Sequence, residues 1–519
     1  MKTVAKIALI SCLWLTIISS GTLGVIDSEL RLQMAHAWWT GTEEVQIAPG
    51  AKPRERGDIR FGVVGADGKR YISYEQGQSL LMLPGDWLGT QLQQWFPEIE
   101  SKQLRELAVS LFIFVPLNVA VVVAAFWLLR LLEFDNRLSG LTALTWLLGT
   151  TVLHYAQLHQ QNNQLLLCVL LGYAGALAYT QRQRPQFAFI SGLAAGGAIL
   201  IRITSIIHVL TILLFLTACL IYRNYKWRKQ FLGFFWWIVG FIPLFLLGRI
   251  FDWIRYGSFW DTGKTVEDWQ TKTDSLWQGV PRLPEDFPML NPPHVGIFGV
   301  LFSPAKSIFI YDPLLLPCLI LAIFLWRRMS PYLQWYIITA VFDLGLHLVA
   351  YSELVFWHGD SAWGARYQVT SVQLLLLPLI ALLIQRLLTA SRLKKWLIQL
   401  LIALAIMVQF ASVMMPMDLE IFQTQLGMPG TRHDFRLGQR IINITCLVSP
   451  QWSKRCIKNN PDKEQILHTW DHLAFLPFTF QHKAKHHPAA LKYVEFLEIF
   501  WLTCLILAIG ATINFVSKT

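Results

Sequence analysis

The feature that most constrains the fold is a series of apolar runs, each close to the length that crosses a lipid bilayer. A helix needs about 20 mostly apolar residues to cross roughly 30 Å of hydrocarbon. Such runs recur along the 519 residues, of which only 15% are charged. The sequence therefore predicts an all-α polytopic membrane protein with about twelve transmembrane helices. Their predicted centres are Leu15, Val121, Leu147, Leu171, Ala195, Leu213, Ile238, Leu316, Thr339, Leu377, Ala405 and Cys504.

Lysine and arginine residues lie beside alternate short loops, and this bias sets the orientation of the chain. Lys2 and Lys6 lie at the start of the first run, and the basic segments "RNYKWRK" and "RLKK" fall in later loops on the same predicted side. Because short basic loops stay in the cytoplasm, both termini are predicted to be cytoplasmic. Much of the +11 net charge is then a topology signal, so no nucleic-acid partner is expected.

The long loops all fall on the opposite, non-cytoplasmic side of this topology, where function is expected. The predicted organisation is a membrane domain at 1–415 with outer loops at 26–105, 253–305 and 353–366, an outer region at 416–491, and a final transmembrane helix at 492–519. No repeat or duplicated half is visible.

Two apolar stretches of the first outer loop are too short to cross a bilayer. One is "DSELRLQMAHAWW", which places Leu30, Met34 and Trp38 on one helical face, and the other begins near Gln78. Both are predicted to be interfacial helices. The first apolar run, from Val4, is interpreted as an uncleaved anchor, with a cleaved signal peptide as the alternative.

The cysteines and histidines suggest one disulfide and no metal. Cys446 and Cys456 share a predicted outer loop and can form a disulfide in an oxidising compartment if their geometry allows it. The other five cysteines fall in predicted spans, where cysteine acts as a small hydrophobe. "HTWDH", from His468 to His472, has the spacing of two metal ligands without a third, so no metal site is assigned.

Several segments, in order, resemble the GT-C superfamily of membrane glycosyltransferases. "SELR" is similar to the acid and arginine of the "DExRYA" pattern in the first outer loop of bacterial aminoarabinose and protein-mannosyl transferases. It departs from that pattern because the preceding acid is displaced to Asp27, with Ser28 between. "RYGSFWDTGK", "GVLFSPAKSIFIYDPLLL" and "FWHGDSAWGARY" are similar to segments that recur in a bacterial branch of multi-span glycosyltransferases.

The resemblance extends from the first span to about residue 390 and implies both a fold and an activity. It implies a GT-C-like enzyme in a bacterial plasma (inner) membrane that moves a sugar from a polyprenyl-phosphate carrier to an acceptor. Members of the superfamily often use a divalent ion near the first-loop acid, and the sequence itself indicates no cofactor.

Sugar transfer of this kind requires a base for the incoming nucleophile and cations for the departing phosphate. Asp27 or Glu29 can supply the base, although acids just past a span also solvate the chain, and Asp27 can cap the next helix. Arg202, Lys306 and Arg366 lie at predicted outer ends of spans and are the candidate phosphate contacts. For Arg202, snorkelling to the interface is the open alternative.

One short outer segment collects aromatic and ionisable side chains that could bind a sugar. Trp357, His358 and Asp360 are its candidate substrate contacts, with an interfacial aromatic belt as the alternative. Within the ninth predicted span, Asp343 and His347 are four residues apart and are expected to satisfy each other, with a proton relay as the alternative.

Two other function classes remain compatible with these features. A multi-span transporter or lipid-carrier flippase would also have twelve helices, but it predicts ionisable residues deep in several spans and pseudo-symmetric halves. A non-catalytic envelope assembly factor would explain the displaced acid before Glu29.

Overall fold

The computed structural model describes most of the chain, in the ranges given at the end of this paragraph. Within them the chain is almost entirely helical, and the strands form one two-stranded antiparallel sheet. The described residues are 2–48, 50–53, 55–284, 286–360, 362–417, 419, 420, 423, 435–449, 472–485 and 488–518.

The N-terminal part contains an anchor-like helix followed by the predicted interfacial elements. Helix α1 is apolar and ends where the small residues begin, and the two-residue strands β1 and β2 enclose a glycine-containing turn. Both stretches predicted to be interfacial are helices, α2 and α3, of 15 and 16 residues. The elements are α1 (Lys2–Ile18), α2 (Ile26–Thr40), β1 (Val63–Val64), β2 (Arg70–Tyr71) and α3 (Gly77–Leu92).

The next part is a bundle of long apolar helices. A π-helical turn at Val109–Phe114 joins α4 to α5, so the two helices continue as one 31-residue span. The helices are α4 (Ser101–Ala108), α5 (Val115–Leu131), α6 (Asn136–Gly149), α7 (Val152–Leu158), α8 (Gln161–Arg182), α9 (Pro185–Ile201), α10 (Ile206–Tyr222) and α11 (Trp227–Tyr256).

The C-terminal half alternates short outer helices with further spans. Pro331 begins α16 at its first position, where the missing N–H costs no hydrogen bond, and Ser330 caps the helix. The helices are α12 (Gly263–Thr273), α13 (Pro293–Phe302), α14 (Ile308–Tyr311), α15 (Leu315–Leu325), α16 (Pro331–Tyr351), α17 (Val369–Thr389), α18 (Arg392–Met414), α19 (Arg436–Val448), α20 (Leu476–Ala484) and α21 (Val494–Ser517).

The predicted all-α polytopic membrane fold is confirmed, whereas the count of twelve spans is not. Each of the twelve predicted centres lies inside a helix. In the described part of the chain, eight of the helical segments are long and apolar enough to cross a membrane. The other four centres lie in α1, α6, α9 and α15, which have 17, 14, 17 and 11 residues. An apolar run in the sequence can thus be longer than the helix that forms from it.

Burial separates central helices from peripheral ones. Every residue of α17 from Val369 to Ile384 is buried, so this helix lies in the centre of the bundle. Helix α11 instead exposes large apolar side chains such as Phe235 and Ile238, as a lipid-facing helix does. It packs against α9 through glycines, and a Cβ on Gly192 or Gly240 would overlap the facing backbone carbonyl.

Three of the predicted outer segments contact one another at one end of the bundle. The guanidinium of Arg70 pairs with Asp274 at 2.5 Å, and Arg255 pairs with Glu44. The backbone N–H of Asn291 donates to the carbonyl of Glu353. These contacts place the segments at 26–105, 253–305 and 353–366 side by side, although which face of the membrane they occupy remains a prediction.

Candidate active site

Asp27 lies in the first turn of α2, immediately after the chain leaves α1. Val25 is the N-cap, with extended φ and ψ of −149° and 142°, and no side chain caps the helix. The prediction that Asp27 caps α2 is therefore wrong, because the helix already begins at Ile26. A carboxylate in the first turn still interacts favourably with the positive end of the helix dipole.

The Asp27 carboxylate is held between a tyrosine from the first outer loop and an arginine from much later in the chain. The hydroxyl of Tyr74 donates to Oδ1 of Asp27 at 2.8 Å. Nη1 of Arg366 lies 3.5 Å from Oδ2, and the two side chains are 21% and 25% exposed. The pair is thus within reach of a ligand, and the fold brings together two of the predicted site residues.

Two further guanidinium groups surround this pair. Arg31, one turn after Asp27 and nearly buried, stacks its guanidinium 3.9 Å from the centre of the Tyr74 ring. Arg202 follows α9 and donates from Nε to Oε1 of Gln161 at 3.2 Å. Burial lowers the pKa of Arg202, and the like charges of Arg366 and Arg31 lower it further. Three like charges near one point favour an anionic ligand between them.

Two of these arginines have a buried N–H donor without a partner among the described residues. They are Nε of Arg31 and Nε of Arg366. A buried donor without an acceptor costs about 1–3 kcal/mol, so an incoming acceptor such as a phosphate oxygen would be stabilised here. We call Asp27, Arg31, Tyr74, Arg202 and Arg366 the Asp27 cluster.

The electrostatic environment keeps Asp27 ionised. Burial acts to raise the pKa of its carboxyl, but the charges of Arg366 and Arg31 and the Tyr74 hydrogen bond outweigh burial, so the pKa is lowered. Burial and the negative charge of Asp27 raise the pKa of Tyr74 well above its ordinary value. Tyr74 therefore remains a donor and Asp27 an acceptor at neutral pH.

Glu29 does not join the Asp27 cluster. Residues two apart on an α-helix differ by about 200° in direction, so Glu29 leaves α2 on the other side. Its carboxylate pairs with Nζ of Lys102 at 2.6 Å. It lines a cavity of about 470 Å³, together with Glu106, His472 and Lys483. Of the two predicted catalytic acids, the geometry thus favours Asp27.

Lys306 is fully buried and faces backbone rather than an open site. Its Nζ donates to the carbonyls of Asp360 and Ala362 at 2.7 and 2.6 Å. Burial, together with the charge of Arg436, lowers the pKa of Lys306 well below its ordinary value. A neutral amine has two N–H groups, which match the two carbonyls. Lys306 therefore orders the loop that precedes Arg366, and we do not retain it as a phosphate contact.

The three predicted sugar contacts occupy different environments. Trp357 is buried and packs against Gly299, where a Cβ would overlap the indole. Nδ1 of buried His358 accepts from the backbone N–H of Asp360 at 2.9 Å, an intraloop bond. Only Asp360 is partly exposed. Trp357 and His358 thus shape the loop from within, and Asp360 remains the candidate with access to a ligand.

Only one of the two cysteines of the predicted disulfide lies among the described residues. Cys446 lies in α19 and is disulfide-bonded. Cys456 lies outside the described residues, so the pairing remains a prediction. His468, of the "HTWDH" segment, also lies outside them, whereas the rings of His472 and His482 stack 4.2 Å apart.

Sequence analysis missed three contributors to the Asp27 surroundings. Tyr74 and Arg31 contact Asp27 directly, and Lys264 lies 5.1 Å from the Tyr74 ring. Arg31 and Lys264 stand in two of the segments that carried the family resemblance, "SELR" and "RYGSFWDTGK". Their positions in these segments could have identified them as site residues, whereas no local sequence feature distinguishes Tyr74 from other loop tyrosines.

Comparisons with known proteins find no match to a protein-family model or to a curated protein. Among solved structures, the fold is similar to the crystal structure of ArnT from Cupriavidus metallidurans bound to undecaprenyl phosphate. The TM-score is 0.46 at 13% sequence identity, and the similarity covers 84% of this chain and 75% of that chain. Similarity at this level does not establish a shared reaction.

Proposed function

We propose that the chain is a membrane glycosyltransferase that moves a sugar from a polyprenyl-phosphate carrier to an acceptor on the non-cytoplasmic face. The observation that carries this proposal is the ion pair between Asp27 and Arg366, with Arg31 and Arg202 beside it. It combines a carboxylate with an excess of positive charge where apolar helices end.

Sugar transfer uses both the carboxylate and the guanidinium groups of this site. A hydroxyl of the acceptor attacks the anomeric carbon of the sugar, and the bond from that carbon to the phosphate oxygen breaks. The electron pair of that bond leaves with the polyprenyl phosphate, whose added charge Arg366, Arg31 and Arg202 would stabilise. The hydroxyl proton passes to Asp27 acting as base. Alternatively, Asp27 orients the acceptor by accepting its hydrogen bond, and the proton passes to the departing phosphate oxygen.

The lowered pKa of Asp27 is compatible with a base only if the ligand changes the charge balance. A carboxylate with a depressed pKa takes a proton poorly. A bound phosphate would neutralise part of the charge of Arg366 and Arg31, which lower that pKa. Carrier binding would therefore make Asp27 more basic at the point when a proton must be accepted.

The proposal is tested with the two acids that sequence analysis could not separate. The full chain in proteoliposomes is supplied with undecaprenyl phosphates carrying radiolabelled hexoses or pentoses, and release of label from the carrier is measured with a cell-envelope extract as acceptor. Asp27→Asn should lower the rate by about 10²- to 10⁴-fold, the usual contribution of a general base. Glu29→Gln, matched in size and charge change, should retain the activity.

The outcomes separate the rival functions. Full activity of the Asp27→Asn variant would remove Asp27 from the mechanism. Loss of activity in the Glu29→Gln variant alone would instead identify Glu29, which faces the cavity, as the base. Failure of the wild-type chain to release any label would refute transfer. Movement of labelled carrier across the bilayer without release would instead favour the transporter or flippase.

A further inference from the structure

Three ionisable side chains from two helices meet inside the bundle. His208 lies in the first turn of α10, and Asp343 and His347 lie one turn apart in α16. All three are buried, with at most 3% exposed. Among the described residues, they form the one group of three or more His, Cys, Asp or Glu side chains whose candidate ligand atoms all lie within 4.8 Å of one another.

The contacts of Asp343 define this triad. Oδ1 of Asp343 lies 2.9 Å from Nδ1 of His208 and accepts from the hydroxyl of Thr211 at 2.9 Å. Oδ2 accepts from the hydroxyl of Ser371 at 2.6 Å and lies 3.6 Å from Nδ1 of His347. The hydroxyls satisfy the carboxylate oxygens but bring no positive charge. A carboxylate buried in a bundle of membrane helices requires such a charge.

The hydrogen bonding of His347 fixes which of its ring nitrogens has a lone pair. Its Nδ1 lies 2.9 Å from the backbone carbonyl oxygen of Asp343, which can only accept, so Nδ1 carries the proton. Nε2 then holds a lone pair. Imidazoles that bind metals usually donate their other N–H to a carbonyl or carboxylate in this way.

We propose that His208, Asp343 and His347 form a binding site for a divalent cation of the zinc class. Two imidazoles and one carboxylate are a ligand set that zinc accepts, with a fourth position left for water. The bound ion would supply the positive charge that Asp343 needs, without requiring either histidine to be protonated. A hydrogen-bonded triad with one protonated histidine is the alternative, and it predicts no bound metal.

The proposed metal site lies beneath the Asp27 cluster and is joined to it by aromatic rings. The rings of His347 and Tyr351 are nearly parallel, with centres 6.1 Å apart. Tyr351 in turn stacks on Tyr367 at 4.6 Å, directly next to Arg366 in the chain. An ion in the triad would therefore add positive charge below the candidate phosphate contacts, although metal binding itself does not depend on the proposed transferase activity.

Metal content tests the inference on the full chain purified in detergent. The protein is treated with a chelator, dialysed against zinc chloride and then against metal-free buffer, and its zinc is measured by mass spectrometry. The wild type should retain about one zinc per chain, held by the three buried protein ligands. His208→Asn and Asp343→Asn should each lose most of it.

Two controls use histidines with similar surroundings elsewhere. His36→Asn alters a histidine whose Nδ1 lies 2.8 Å from Asp86, a pair for which the structure describes no second histidine. His482→Gln alters a stacked histidine pair outside the bundle. Both variants should bind as much zinc as the wild type. Absence of zinc from the wild type, or full zinc content in His208→Asn, would overturn the inference.

A measurement on the wild type alone covers the case in which the buried variants fail to fold. X-ray absorption at the zinc edge should show a shell of nitrogen and oxygen ligands with the scattering pattern of two imidazoles and no sulfur. A shell containing sulfur, or only water oxygens, would place the metal elsewhere and refute the site.

Discussion

Replacing Arg366 is the sharpest test of how this chain would hold a phosphate. Arg366 joins the carboxylate of Asp27 at 3.5 Å and carries one unpartnered buried N–H among the described residues. Arg366→Gln keeps a planar polar end but removes the charge. Arg366→Lys keeps the charge but loses the planar, two-pronged donor geometry that suits a phosphate.

The size of the effect follows from the two contacts that are lost. Asp27 and Arg366 are both partly exposed, so their ion pair contributes only about 0.2–1 kcal/mol to folding and the variant should fold. A hydrogen bond to a charged group is worth about 1.5–3 kcal/mol. At 1.4 kcal/mol per factor of ten, Arg366→Gln should weaken binding of a polyprenyl phosphate by about 10- to 150-fold.

The assay is the Kd of undecaprenyl phosphate for the purified full chain, measured by titration in detergent. Arg366→Lys should fall between the wild type and Arg366→Gln. Lys102→Gln is the matched control, because it breaks a 2.6 Å ion pair with Glu29 on the other side of α2. An unchanged Kd in Arg366→Gln, or equal weakening in Lys102→Gln, would refute the assignment of the phosphate to the Asp27 cluster.

Two further predictions test the acid and the packing. Tyr74→Phe removes the 2.8 Å hydrogen bond that helps to lower the pKa of Asp27, so the acid limb of the pH–activity profile should move to higher pH. A limb that stays in place or moves down would contradict this. Gly240→Val should lower the free energy of unfolding by at least about 1–3 kcal/mol, because its Cβ would overlap the carbonyl of Phe189. Gly510→Ala, where a Cβ meets no neighbour, is the control, and equal melting temperatures for the two variants would refute the packing argument.

The helices were predictable because hydrophobicity is a local property of the chain. Every predicted span centre lies in a helix, and α2 buries Leu30 and Met34 as its periodicity predicts. The number of spans was not predictable to the same degree. Helix α15 has only 11 residues because Asp312 and Pro313 separate it from the apolar helix α14, so one apolar stretch of sequence forms two short helices.

The Asp27 cluster was predictable in its components but not in its geometry. Asp27, Arg202 and Arg366 were each identifiable as charges near the ends of apolar runs, and the structure brings them together. The sequence does not state the direction in which a side chain leaves its helix. For that reason the sequence alone does not separate Glu29 from Asp27, or a buried lysine such as Lys306 from one that faces a ligand.

The sequence likewise does not show that His208 contacts Asp343 and His347. Their spacing of four residues predicts a contact within one helix, and Nδ1 of His347 does lie 2.9 Å from the backbone carbonyl oxygen of Asp343. His208 belongs to another helix, more than a hundred residues earlier, and only packing brings it to the same carboxylate. The local pattern therefore predicts a pair of contacting side chains, and the fold adds His208 as a third.

The pairing of Asp27 with Arg366 also has a consequence for biogenesis. The two residues are separated by roughly 340 positions, so α1 and α2 emerge from the ribosome long before the loop that carries Arg366. At about 5–20 residues per second, Asp27 waits for roughly 20 to 70 seconds without its cationic partner. A nascent chain halted before residue 366 would have an anchored acid without the guanidinium of Arg366, so the site is complete only after about 70% of the chain has been made.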